Sequence, residues 1–365
     1  MKHVDAAVSV VVPIYNAEKW LYRGLDRILR QPFRSIELLL VNDGSTDHSG
    51  AICEEYAAKD ARIKVLHKAN GGTSSAKNAG FKAATGKYIA FLDADDEIDE
   101  LFFAKLYAAA EEHACDIVVS GFETIPSQLA RAPRFTLHTV MNGKDFVLSA
   151  ASVHSDNELC FVWRCLFLHS WLANSSIRFQ EELTIGEDTI FLLESMLSAD
   201  RVYAIPDCLY FYNTVNNLDS LMRAPYKPYL ERSLVLQYRY RKQHSEKSRL
   251  IAHDHYRKDM AVYYIQTILG MLIKNMKNSP TAAKKEDLAK LVSLEMFTDS
   301  TKALGFRYKC ASPKEYIYYL AFKFKLSAVL FYWEFGKPAA RSFFPFNLFG
   351  KSKRLTDQSL RINKR

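Results

Sequence analysis

The chain has no CxxC pair, and its six cysteines are scattered over 365 residues. That excludes a disulfide framework and a cysteine zinc site, and predicts a reduced, cytosolic setting. The GxxxxGK[ST] spacing is missing, which excludes a P-loop nucleotidase. Long apolar runs are missing too: the aromatic-rich "YIYYLAFKFKLSAVLFYWEF" is broken by Lys323 and Lys325 and fails as a membrane span. The opening "MKHVDAAVSVVVPIYNAEKW" has an apolar run too short and too valine-rich for a secretory signal, and it flows into a helical pattern. It reads as a first strand. Charge is scarce outside the tail. From Lys337 onward eight Lys/Arg stand against Asp357 alone, +7 of the net +8, so residues 1–336 are nearly neutral. A nucleic-acid binder would carry its charge on the folded surface, so nucleic acid is excluded as a partner.

What is present is a globular composition, 48% apolar, with no low-complexity tract or internal repeat. "VSVVVPIY", "IELLLVND", "RIKVLHK" and "KYIAFLDADD" read as strands, the first as one buried on both faces. Between them "AEKWLYRGLDRILRQ", "HSGAICEEYAAKD" and "TSSAKNAGFKAAT" have helical spacing, and "CDIVVSGFE" reads as a fifth strand. This alternation predicts an α/β fold with a parallel, doubly wound sheet. The pattern loosens over residues 122–160 and is mostly helical beyond Pro228. We expect a catalytic domain over 1–224, a helical region over 225–310 and an aromatic, basic tail over 311–365.

The fourth strand breaks into Asp93, Asp95, Asp96, Glu97, Asp99 and Glu100. Acids complement a helix N-terminus, which accounts for the last three before "IDELFFAKLYAAAEE". Asp93, Asp95 and Asp96 are less well explained, because carboxylates around one turn repel each other. They sit where α/β sheets bind ligands, and hard oxygen ligands there point to a divalent cation holding phosphate. The second strand ends in "NDGSTD": Asp43 can accept from a base or ribose, while Asp47 reads as a cap. "KANGGTSSAKNAG" is a Gly-rich loop opening a helix, able to wrap a diphosphate with Lys77 as counter-charge.

Together "VSVVVPIYNAEKWL", "LLLVNDGSTD", "NGGTSSAKNAGFKAATGKYIAFLDADD" and "GEDTIFLLESM" closely resemble the family 2 glycosyltransferases of the GT-A fold, over residues 8 to about 220. The resemblance implies a Rossmann-like, mostly parallel sheet with a C-terminal helical extension. It implies an inverting transfer from a nucleotide-sugar donor, usually a UDP-sugar. Pro13, Tyr15, Asp43, Lys77, Asp93 and Asp95 would bind the donor, and Asp93 and Asp95 would hold Mn2+ or Mg2+ as a DxD pair. Asp188 of "GED" matches the general base and Glu187 its supporting neighbour. Trp163 of "FVWRCLF" either stacks on a sugar or packs in the core. Arg164 and Cys165 depart from the usual residues there, Lys77 stands where many relatives have Arg, and Asn213 stands where an Arg is frequent. The Q-x-x-R-W signature of processive synthases is absent, so one sugar per encounter is expected.

The tail's aromatics and basic residues predict an interfacial anchor on an anionic membrane surface at the cytoplasmic face. By analogy with bacterial relatives that build surface polysaccharides, the acceptor is a glycan or polyprenyl-linked glycan. The C-terminal helices leave a homodimer open as well as an anchor. A nucleotidylyltransferase would need a Gly-rich, Arg-containing loop after the first strand, and "PIYNAEKW" has none. A catalytically inactive nucleotide-sugar scaffold predicts a damaged DxD or GED, and both are intact.

Overall fold

The structure, a computed structural model, describes residues 6–214, 225–280, 284–310 and 312–335. They divide into two compact units, the first ending at 259 except for residues 225–227, which belong with 260–335 in the second.

The first unit is built on nine strands: β1 (Val8–Ile14), β2 (Ile36–Asp43), β3 (Ile63–Lys68), β4 (Tyr88–Phe91), β5 (Glu97–Ile98), β6 (Ile117–Ile125), β7 (Leu129–Arg131), β8 (Cys165–Leu168) and β9 (Val202–Asn213). They form one sheet in the order β3-β2-β1-β4-β8-β6-β9-β5, with β7 beside β6. Its helices are α1 (Glu18–Leu29), α2 (Ser49–Lys59), α3 (Thr73–Ala83), α4 (Phe102–Glu112), α5 (Gly143–Ser149), α6 (His169–Asn174), α7 (Glu187–Ser198) and α8 (Leu230–Lys247).

The block β3-β2-β1-β4 is parallel throughout, as the sequence alternation implies. Beyond β4 the sheet is mixed. The expected fifth strand, β6, does not lie beside β4: β8 intervenes, antiparallel to both. Pairing partners so distant in the chain have no local signature. β6 and β9 are parallel to each other. β1 and β2 are apolar runs because helices cover both their faces. One polar side chain interrupts β2: the Glu37 carboxylate accepts from Ser9 Oγ at 2.5 Å, Thr85 N at 2.6 Å and Lys64 Nζ at 2.8 Å. It thereby ties β1, β3 and the approach to β4 together at the end of the sheet remote from the acidic turn.

Two expectations change. Glu97 does not open a helix: β5 pairs with β9, and the Glu97 carboxylate is held by Arg23 and Arg27 of α1. α4 starts only at Phe102, with Leu101 N donating to Asp99 Oδ1. The boundary expected at 224 also falls too early. α8 belongs to the first unit, packed so closely on the turn before α7 that a Cβ at Gly186 would lie 2.4 Å from Gln237 Nε2.

The second unit continues from α9 (Asp254–Tyr263) through α10 (Leu269–Asn278), α11 (Lys284–Leu291), α12 (Glu295–Leu304), α13 (Pro313–Lys323) and α14 (Ser327–Phe335). α13 begins with Pro313 in its first turn and Ser312 as N-cap, the serine accepting from Glu315 N. The expected break at 310/311 is absent, because the Tyr319 hydroxyl donates to the Thr301 and Gly305 carbonyls and ties α13 to α12. Residues 336–365 of the expected anchor lie outside the described residues. Among the described residues no helix is long and apolar enough to cross a membrane.

Candidate active site

In a parallel sheet the chain reverses direction of progress at the switch point, here between β1 and β4, and side chains at the carboxyl ends there share a crevice. β1 delivers Pro13 and the half-exposed Tyr15, β2 delivers Asp43, and β4 delivers Asp93 and Asp95. The β1 and β2 exits are knitted together: Thr46 N donates to Asn16 Oδ1 at 2.8 Å and Asn16 N to Ser45 Oγ at 3.1 Å. Asp47 is a cap, as expected, accepting from Ser49 N and Glu18 N.

Asp43 is 2% exposed. Its carboxylate accepts from Gly71 N at 3.0 Å, Gly72 N at 2.8 Å and Lys68 Nζ at 2.5 Å. It therefore fastens the Gly-rich loop over the end of β2. Gly44 is required there: its φ is +70° and a Cβ would lie 2.8 Å from Asn70 N.

Lys77 does not point outward as a lone counter-charge. It is 1% exposed, and its Nζ lies 2.6 Å from Asp188 Oδ1 and 3.9 Å from Glu187 Oε1. α3 presents it from close range, because Gly80 one turn on lets the helix press against Val11 of β1. Burial pushes the ammonium towards neutrality, but Asp188, Asp93 and Glu187 outweigh it and hold Lys77 charged, above the ordinary lysine range.

Burial pushes Asp93 up to about 7, with Lys77 opposing the rise and Asp188 and Asp95 adding to it. Burial likewise pushes Glu187 up to about 7, with Asp188 adding and Lys77 opposing. Glu187 and Asp188 open α7 behind a left-handed Gly186, so the helix N-terminus faces its own acids.

The acidic turn is held from β9. Tyr210 donates to Asp96 Oδ2 at 2.8 Å and accepts from Asp93 N at 3.3 Å, while Asn213 N donates to Asp96 Oδ1 at 2.7 Å. Asp96 is thus a buried anchor, its carboxyl pushed well above the usual range by burial and by Asp93 and Asp95. Trp163 resolves to core packing: it is 3% exposed and stacked on Tyr210 at 4.0 Å, behind the acidic turn. Arg164 is fully buried on Glu158, bonded to its Oε2 at 2.8 Å and its carbonyl at 2.6 Å. Sequence reasoning missed Tyr210, which has no signal beyond its place in an aromatic strand; Lys68 opens the Gly-rich stretch, but its bond to Asp43 has no local signature.

Among the described residues no three His, Cys, Asp or Glu converge as a complete metal cage. Asp93 and Asp95 offer a two-carboxylate set, which fits a hard cation that takes its remaining ligands from phosphate and water.

The glycosyl transferase family 2 profile matches residues 9–163, spanning the crevice from β1 to Trp163. The chain is 33% identical over 312 residues to the uncharacterized glycosyltransferase EpsJ of Bacillus subtilis, covering 83% of this chain and 88% of that protein. It is 27% identical over 231 residues to the poly(ribitol-phosphate) beta-N-acetylglucosaminyltransferase TarS of Staphylococcus aureus, 60% of this chain and 38% of TarS. The crystal structure of TarS residues 1–349 in complex with UDP-GlcNAc superimposes with a TM-score of 0.61 at 21% identity, covering 90% of this chain and 92% of that one. At that identity the likeness carries the fold, which is GT-A. With a full-length relative at this identity and the profile lying across the crevice, the chain belongs to glycosyl transferase family 2 and is a glycosyltransferase.

Proposed function

We propose that the enzyme transfers a sugar from a UDP-sugar, with inversion, to a hydroxyl of a glycan or polyprenyl-linked glycan at the cytoplasmic membrane face, in cell-surface polysaccharide synthesis. The observation that supports this reading is the 2.6 Å ion pair between Lys77, on the helix opened by the Gly-rich loop, and Asp188 of "GED", which brings two of the family-like motifs together. That TarS binds UDP-GlcNAc and is named an N-acetylglucosaminyltransferase supports an N-acetylhexosamine or hexose as the transferred sugar.

In this reading Pro13 and Tyr15 flank the base of the nucleotide and Asp43 accepts from it, displacing Lys68. The acceptor oxygen bonds to the anomeric carbon as the carbon–oxygen bond to the diphosphate breaks. With Asp188 Oδ1 held by Lys77, Oδ2 takes the hydroxyl proton, a contribution of about 10²–10⁴-fold. Glu187 stands beside Asp188 at the opening of α7 as its supporting neighbour. Asp93 and Asp95 would hold Mn2+ or Mg2+, which would supply Lewis-acid neutralisation of the leaving diphosphate.

The test is nucleotide release from UDP-, GDP- and dTDP-sugars with Mn2+ or Mg2+, using wild type, Asp95→Asn and Asp188→Asn, alongside UDP binding. Release from one UDP-sugar that is lost in Asp95→Asn supports the reading. Failure to bind any nucleotide, with or without metal, ends it.

A further inference from the structure

Ten large apolar side chains are strongly exposed among the described residues, and six fall within residues 306–332: Phe306, Ile317, Phe324, Leu326, Val329 and Tyr332. They belong to the helical unit, and Phe324, Leu326 and Val329 lie in or beside the α13–α14 turn. The Phe306 and Phe324 rings lie 6.0 Å apart, and Lys323 Nζ sits 5.0 Å above the Phe306 ring. The turn itself, Phe324-Lys325-Leu326, is wholly exposed. α14 has one charged residue, Glu334, and it is buried on Lys277. The side of α14 that faces outward therefore shows Ala328, Val329 and Tyr332 with no charge, where a helix bathed in water ordinarily carries polar groups. Exposed lysines accompany these residues along the chain, Lys302 and Lys309 on either side of Phe306 and Lys325 between Phe324 and Leu326.

We propose that the α13–α14 face is a docking surface for an anionic lipid bilayer. Phe324, Leu326 and Val329 enter the headgroup–acyl boundary while the lysines meet lipid phosphates, the pattern of an interfacial rather than a spanning element. Charge selects this occupant. A second copy would set these lysines against their own copies, and the chain beyond Phe335 brings eight more Lys/Arg against one Asp, so it too is repelled by them. A lipid surface rich in phosphate complements all of these cations. The inference deepens the membrane-linked acceptor of the proposed function and rests on that part of it; the donor chemistry is not used.

The experiment is co-sedimentation of the full chain with vesicles of phosphatidylcholine alone and with added phosphatidylglycerol, with UDP binding measured on the same samples. Wild type is expected to bind only the anionic vesicles, and less at high salt. Phe324→Ser/Leu326→Ser/Val329→Ser is expected to lose about tenfold or more in vesicle partitioning, from the apolar area withdrawn, with UDP affinity unchanged. Lys325→Glu weakens binding by a smaller factor. If the triple variant loses UDP binding as well, amide exchange of the wild-type 323–328 turn decides: slowing on anionic vesicles supports the face, no change overturns it. Absence of wild-type binding overturns the proposal. So does a triple variant that binds as wild type, which would assign the membrane to the tail, or a wild-type dimer that the triple variant dissociates. Vesicle binding without any UDP binding would fail the donor reading and leave the docking surface standing.

Discussion

Lys77 Nζ lies 2.6 Å from Asp188 Oδ1, joining the helix after the Gly-rich loop to the first turn of α7 across 111 residues of chain. A residue expected beside the donor is thus bonded to the proposed base, and the same ammonium offsets Asp93 and Glu187. Lys77→Met would leave these carboxylates buried without their cation, a loss of about 3–5 kcal/mol of stability. Urea unfolding checks the loss. Adding Asp188→Asn should recover part of it, the coupling expected of residues in contact.

Asp188→Asn keeps the shape of the α7 turn and removes the proposed proton acceptor. Turnover of the UDP-sugar should fall about 10²–10⁴-fold, while UDP affinity by calorimetry stays as in wild type. Asp95→Asn should behave oppositely. Its UDP affinity with Mn2+ should match that of wild type in EDTA, since only the metal-assisted part of binding is removed.

Gly80→Ala tests how α3 delivers Lys77. The added Cβ would lie 2.3 Å from Val11 Cγ1, so helix and strand must part. Overpacking of this kind costs about 1–3 kcal/mol, and the melting temperature should drop accordingly. Val11→Ala in the same chain opens the space and should restore turnover ahead of full stability.

Glu37 gives an acid-sensitive seam. Burial pushes its carboxyl up, but hydrogen bonds from Lys64, Ser9 and Thr85 outweigh it and bring it down to about 2 from an ordinary 4.5. The folded state therefore favours the ionised form. The resulting stability is fully present above pH 4.5 and is lost as pH falls towards 2. Glu37→Gln should cost on the order of 3 kcal/mol near neutrality and flatten the fall in stability below pH 4.5, read by urea midpoints across that range.

Much of the site was legible because it is local. Each of "PIYN", "NDGSTD", "GGTSSAK", "DADD" and "GED" ends or opens an element, and buried parallel strands advertise themselves as unbroken apolar runs. The misreadings concern long-range pairing. Glu97 looked like a helix-opening acid because its partners, Arg23 and Arg27, are some seventy residues upstream. Trp163 is open between ligand and core from its sequence alone, because its stacking partner Tyr210 belongs to a different strand.

The sequence by itself determined the α/β alternation, the parallel block and the chemical types at its carboxyl edge, since these follow from periodicity and from residues adjacent in the chain. Tertiary structure alone decided that β8 separates β4 from β6, that Lys77 pairs with Asp188, that Tyr210 steadies the acidic turn, and that Phe306 meets Phe324 of the exposed α13–α14 turn. The physical reason is the same in each case. Periodicity records which face of an element is buried, whereas a hydrogen bond, an ion pair or a shared surface depends on which distant element folding brings opposite it.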